Sequence, residues 1–216
     1  MGLIKEVDCE KCIKQKPKYN CDDCISYHAD LPYLVGEKLE IALDEEFKRS
    51  FELAHNFASK SIMHSDFWGV YCGKDFLMAS DTWTLVKIKA DVPKSLVGKY
   101  LLEYNHENIL AAKNKNPAFT NGQAQRIINE AQFGARMRSL LKRQMEDFVS
   151  VRYEEKGEKF VKINNGPVVQ RALLDRAIAA IPDNEAFMLS YSPLEKHKPL
   201  LIRGKIIECI ILPVKS

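Results

Sequence analysis

The chain has no apolar run that approaches the ~20 residues needed to cross a bilayer; its longest, such as IIECIILPV, stops well short. The opening residues MGLIKEVDCE hold no apolar signal core, and Glu6 stands where a myristoylation signal wants Ser or Thr. Both absences point to a soluble, cytoplasmic protein. A dominant charge sign is lacking too: 32 Lys and Arg face 29 Asp and Glu, and the net +3 names no partner by itself. The local signatures of catalysis are also missing. There is no Gly-x-Ser-x-Gly elbow, no Gly-rich phosphate loop and no His-Glu-x-x-His. His55, His64, His106 and His197 share no paired spacing. Paired acids such as Glu45-Glu46 fall in turns or first helical turns, where solvated carboxylates are common. The expectation is a protein without enzymatic activity.

What is present is enough apolar residue, 46% of 216, to bury the core of one or two domains. Six cysteines occur, four of them in CEKCIKQKPKYNCDDC. Cys9, Cys12, Cys21 and Cys24 form a C-x2-C-x8-C-x2-C pattern whose two pairs can complete a tetrahedral four-sulfur site, which suits structural Zn2+. Lys14, Lys16 and Lys18 in the spacer would offset the charge of four thiolates. Two disulfides, a redox C-x2-C or an iron site are the alternatives, and His28 could replace one ligand. Four sulfurs close the site and leave no open position for catalysis. Cys72 and Cys209 lie in apolar, strand-like runs and read as inert buried thiols.

From Leu39 onward the pattern is regular. LEIAL alternates like a short strand, and Asp44 stands as N-cap of a helix whose stripe is Phe47, Phe51, Ala54 and Ala58. DFWGVYCG, KDFLMASDT and TLVKIKAD read as three strands, with Gly73 turning the first into the second. KYLLEY reads as another strand and NHENILAAK as a short helix opened by Asn105. KNKNPAFTNG is a polar, Pro- and Gly-marked break. GQAQRIINEAQFGARMRSLLKRQMED, residues 122–147, reads as one long basic helix with Gly134 as a weak point. FVSVRYEE and EKFVKI form a hairpin around Lys156-Gly157. PVVQRALLDRAIAAIP reads as a helix capped by Asn165 or Gly166, with Pro167 in its first turn and Pro182 at its end. FMLSYS, KPLLIRG and KIIECIILPV give three closing strands. A weak echo links KYLLEY-Asn and EKFVKI-Asn, each read as a strand followed by a helix. The fold class is α+β, divided into a cysteine-rich knuckle (1–36), a first unit (37–118) and a second unit (119–216).

ASDTWTLVKI, residues 79–88, resembles the Ala-Thr-Asp-x-His-Arg-Leu segment of bacterial sliding clamps, the β subunit of DNA polymerase III. FELAHNFASKSIMHSDFWGVYCGKDFLM before it is similar to that family's helix, Gly-Val strand and hairpin. INNGPVVQRALLDRAIAAI resembles the clamp's Phe-Asn-x-x-Tyr-Leu-Leu-Asp-x-Leu helix. KPLLIRG and IIECIILPVKS resemble its Lys-Pro-Leu-Leu-Ile-Arg and Met-Pro-Val-Arg ending. The resemblance covers roughly 38–112 and 155–216, the clamp's middle and last domains. It implies DNA-clamp-like sheet units with packed helices, and a non-enzymatic processivity factor on double-stranded DNA.

The resemblance also implies an apolar groove that receives peptides from DNA polymerases and repair proteins. One wall would be Ser80, Asp81, Thr82, Trp83, Thr84 and Leu85; the other would be Ile210, Leu212, Pro213, Val214 and Lys215. Trp83 and Thr84 stand where the family prefers His and Arg, and Ser216 replaces a terminal Leu, so the peptide preference should differ. Helices of the family line a ring and aim Lys and Arg at phosphates; Lys48, Arg49, Arg171 and Arg176 match in position. Arg136, Arg138 and Arg143 on the 122–147 segment are further DNA candidates, since sequence-independent phosphate contacts need only cations on one face. The implied partners include a clamp loader and copies of the chain itself, a ring of six units taking three two-unit chains. Two other readings stay open: a clamp-fold adaptor that forms no ring, and a zinc-dependent DNA-binding regulator.

Overall fold

The computed structural model describes residues 37–39, 43–59, 67, 69–105, 108–113, 122–132 and 135–214. Cys9, Cys12, Cys21 and Cys24, and Lys215 of the tail, lie outside them. The first half of the chain gives β1 (Glu37–Leu39), α1 (Glu45–His55), β2 (Val70–Cys72), β3 (Phe76–Ser80) and β4 (Thr84–Lys89). Asp44 caps α1 as expected: its Oδ1 accepts the Phe47 N–H at 2.6 Å, and Glu45 and Glu46 complement the positive end of the helix dipole. Gly73 makes the β2–β3 turn, donating its N–H to the Phe76 carbonyl at 2.8 Å. A Cβ there would lie 2.3 Å from the Phe76 ring, so only glycine lets the ring fold over the turn.

The last third repeats that order. β10 (Val168–Gln170), α3 (Arg171–Ala179), β11 (Phe187–Tyr191), β12 (Leu200–Arg203) and β13 (Ile207–Ile211) again run strand, helix, three strands. Between the two sets lie β5 (Lys99–Asn105), β6 (Asn108–Lys113), α2 (Gln123–Gln132), β7 (Arg136–Leu140), a 3₁₀ segment (Lys142–Phe148), β8 (Val149–Glu155) and β9 (Glu158–Ile163). The β8–β9 hairpin turns on Lys156 (φ 53°) and Gly157 (φ 81°), the doubly left-handed pair that a two-residue hairpin loop requires.

Ten strands form one antiparallel sheet in the order β1-β6-β5-β2-β3-β4-β13-β12-β11-β7, and β10-β9-β8 form a second. The β4–β13 ladder joins the first and last parts of the chain, with Val86 opposite Cys209 and Thr84 opposite Ile211. Strict alternation along β4 and β13 gives the large sheet two apolar faces. Val86, Ile88, Cys209 and Ile211 face α1 and α3, burying Phe47, Phe51, Phe57, Leu174 and Ala177 against the sheet. Leu85 and Ile210 face the other way, where Ala124, Ile128 and Ala131 of α2 cover them together with Met78, Tyr100 and Leu201. Cys72 and Cys209 are fully buried on the α1/α3 face, and burial raises both thiol pKa values to about 12.

Four sequence expectations fail. NHENILAAK is strand β6, because β5 on one side and β1 on the other pair its backbone, which an isolated helical turn that short cannot match. Asn105 therefore pairs with Asn108 in register, and in both places the first strand is followed by a second antiparallel strand rather than a helix. The 122–147 segment is a ten-residue helix, a strand and a 3₁₀ segment, because Arg136–Leu140 pairs with the open edge of β11. Helix α3 starts at Arg171, four residues after Pro167; Val168–Gln170 pairs with β9 first, and β-branched Val168 and Val169 suit that strand. Neither Asn165 nor Gly166 caps it, since Gln170 occupies the N-cap position.

Candidate docking groove

The turn joining β3 to β4 is held by short polar side chains. The Asp81 Oδ1 accepts the backbone N–H groups of Trp83 (3.1 Å) and Thr84 (2.7 Å) and the Thr84 hydroxyl (2.7 Å). Ser80 Oγ donates to the Thr84 carbonyl at 2.7 Å and accepts the Thr82 N–H at 3.2 Å. Asp and Ser favour such turns because their side chains can satisfy the backbone two or three residues on. Inside this frame Thr82 takes φ +78°, a left-handed conformation that a β-branched residue adopts only under constraint. Trp83, next along, is 54% exposed.

Two hydrogen bonds hold the tail, the first to this turn and the second to β10. The Leu212 N–H donates to the Trp83 carbonyl at 2.8 Å, and the Val214 N–H donates to the Val168 carbonyl at 2.9 Å. The two segments expected from sequence as walls therefore lie side by side, and the groove between them stays an expectation. They are unequal in exposure. Ser80, Thr84, Leu85 and Ile210 are buried, the last two beneath α2, so they offer little surface to a partner. Thr82, Trp83, Leu212, Pro213 and Val214 carry the accessible surface.

The cationic candidates on α1, α3 and β7 lie on the α1/α3 side of the sheet. On α1, Lys48 pairs with Glu45 at 2.6 Å and Arg49 is exposed. On α3, Arg171 binds Glu146 at 2.5 Å and Asp175 at 2.7 Å, and the Glu146 hydrogen bond raises its pKa further. Arg136 and Arg138 sit opposite Tyr191 and Leu189 in register, so they share the face of those core residues although they belong to edge strand β7 rather than to a helix. Arg143 is exposed in the 3₁₀ segment.

Arg176 behaves differently. Its Nη2 donates to Asp81 Oδ2 and, at 2.8 Å, to Thr84 Oγ1; its Nη1 donates to the Asn56 carbonyl at 3.2 Å. The guanidinium also lies over the Phe57 ring, 4.9 Å from its centre. A cleft of about 640 Å³ opens beside it between the C-terminal ends of α1 and α3, lined by Leu53, Asn56, Phe57, Asp81, Arg176 and Ala179. The Arg176–Asp81 bridge is the part of the site that sequence reasoning missed. Ninety-five positions separate the two residues, and no local pattern links them.

Among the described residues, no three His, Cys, Asp or Glu side chains are placed to hold a metal ion, and no helix is long and apolar enough to cross a membrane. No protein-family model and no curated protein matches the chain. Solved structures do. A Bartonella birtlesii DnaN sliding clamp, DNA polymerase III subunit beta, bound to griselimycin matches with a TM-score of 0.52 and 15% identity, over 88% of this chain and 70% of that one. The Helicobacter pylori beta clamp bound to a DNA ligase peptide matches with a TM-score of 0.50 and 11% identity, over 82% and 68%. The same clamp in complex with diflunisal gives a TM-score of 0.50. At these identities the likeness is one of fold: the described sheets and helices are arranged as in bacterial sliding clamps.

Proposed function

We propose that this protein is a non-enzymatic, clamp-fold DNA processivity factor. It contacts duplex DNA without sequence preference through the α1/α3 side and docks replication or repair proteins in the groove between the 80–84 turn and the 212–215 tail. The observation that carries this reading is the Leu212-to-Trp83 hydrogen bond, which seats an exposed Trp beside an apolar tail on a clamp-like fold. An apolar recess rimmed by a few polar groups suits a short linear peptide. Calorimetry with griselimycin tests the groove. Binding that weakens about tenfold or more in Trp83→Ala supports it, and binding that Trp83→Ala leaves unchanged sinks it.

A second reading has its own support. Lys48, Arg171 and Arg176 are engaged by acids of the same chain, which leaves the α1/α3 side less free positive charge than the sequence suggests. That favours an adaptor that keeps the clamp fold and encircles nothing. Light scattering separates the two: a mass near three times 24.7 kDa fits a ring of two-unit chains, and a monomer fits the adaptor. In either case Cys9, Cys12, Cys21 and Cys24 are proposed to hold one structural Zn2+ per chain. Metal analysis should find one equivalent, lost in Cys12→Ser/Cys21→Ser; a full complement in that variant would refute the assignment.

A further inference from the structure

We infer that Arg176 is the positioning residue of the groove turn. By gripping Asp81 and Thr84 from α3 it holds Thr82 in its left-handed conformation and so sets where Trp83 stands. This deepens the groove reading, on which it rests only for what docks there.

The argument follows the atoms. One oxygen of the Asp81 carboxylate accepts three donors from its own turn, and the other is taken by Arg176. The Thr84 hydroxyl is fixed as well, donating to Asp81 and accepting from Arg176. The guanidinium is held in turn by the Asn56 carbonyl and the Phe57 ring, while its Nε is covered and has no hydrogen-bond partner. Arg176 thus leaves its Nε without a partner while its Nη2 is aimed at the turn. Charge-assisted contacts of this kind are the strong ones, and they hold geometry as well as energy. A left-handed Thr persists only where its surroundings over-determine it. Here that constraint reaches the turn from an element 95 residues away. The Trp83 carbonyl then passes it on to the tail through Leu212.

The test reads Trp83 directly and needs no docking partner. The sequence has two tryptophans, so in a Trp68→Phe background all indole emission comes from Trp83. Arg176→Leu is expected to change the acrylamide quenching constant of Trp83 at least twofold, with far-UV circular dichroism unchanged. Asp81→Asn should shift it in the same direction, and the double variant should add little to either single change. Adding Thr82→Gly to Arg176→Leu should restore most of the native value, because glycine takes the left-handed conformation freely; a general loss of stability would not be rescued there. Where Arg176→Leu does not fold, Arg176→Lys, which keeps the charge but not the fork, should show the same shift to a smaller degree. Native quenching in a folded Arg176 variant overturns the inference, whatever griselimycin does.

Discussion

The two faces of the ten-stranded sheet are built on different scales. The α1/α3 face buries Phe47, Phe51, Phe57, Leu174, Phe187 and Tyr191 almost completely. The opposite face is covered by α2, which contributes Ala124, Ile128 and Ala131. Large aromatic side chains from α1, the loop after it and β11, joined by Leu174 of α3, make the first face the core of the fold. On the second face one short helix adds a single branched side chain between two alanines. The same strands serve both faces, so the difference lies in what packs on them.

Breaking the first face should cost most. Phe51→Ala removes a ring that is 2% exposed, and deletions of that kind cost about 3–5 kcal/mol. A domain of this size is stable by only about 5–15 kcal/mol, so the urea midpoint should fall steeply and the yield of folded protein with it. On the second face, Ile128→Ala should cost about 2 kcal/mol, the low end for an aliphatic deletion, because the sheet beneath stays packed from its other side. Equal losses for the two variants, measured by urea titration, would show that α2 belongs to the core after all.

How much of this was legible in sequence depends on where each element finds its partner. Helix α1 carried its own cap at Asp44 and its own stripe, and strands β2 to β4 and β11 to β13 carried alternation and turns, so all were readable locally. β6 and β7 were not. The short apolar run Ile109-Leu110-Ala111 has no period that separates helix from strand, and for both elements the decision came from open edges on β5 and β11. The same holds for the groove. The two segments proposed as its walls were read through family resemblance, since each is a continuous segment. Arg176 is on the polar side of its helix, and helical periodicity alone cannot tell a phosphate-facing cation from one that meets an acid across the sheet.

The thiols give the comparison its finest test, because both buried cysteines lie on the α1/α3 face. Burial raises each from an ordinary value of 9.0 to about 12, so in the folded protein both stay protonated where an unfolded chain would ionise them. The sign follows. Their contribution is fully present below pH 9 and is lost as the pH climbs from there toward 12, since only the unfolded state releases the protons. A one-unit shift corresponds to 1.36 kcal/mol, so each thiol should withdraw about 1 kcal/mol by pH 9.5. Urea midpoints measured from pH 7 to 9.5 should therefore slope downward in the native protein and more gently in Cys72→Ala/Cys209→Ala. The comparison is between slopes, because the lost sulfur volume lowers the double variant at every pH. Identical slopes would mean that water reaches those sulfurs, and the α1/α3 face would then be less tightly closed than its aromatic core implies.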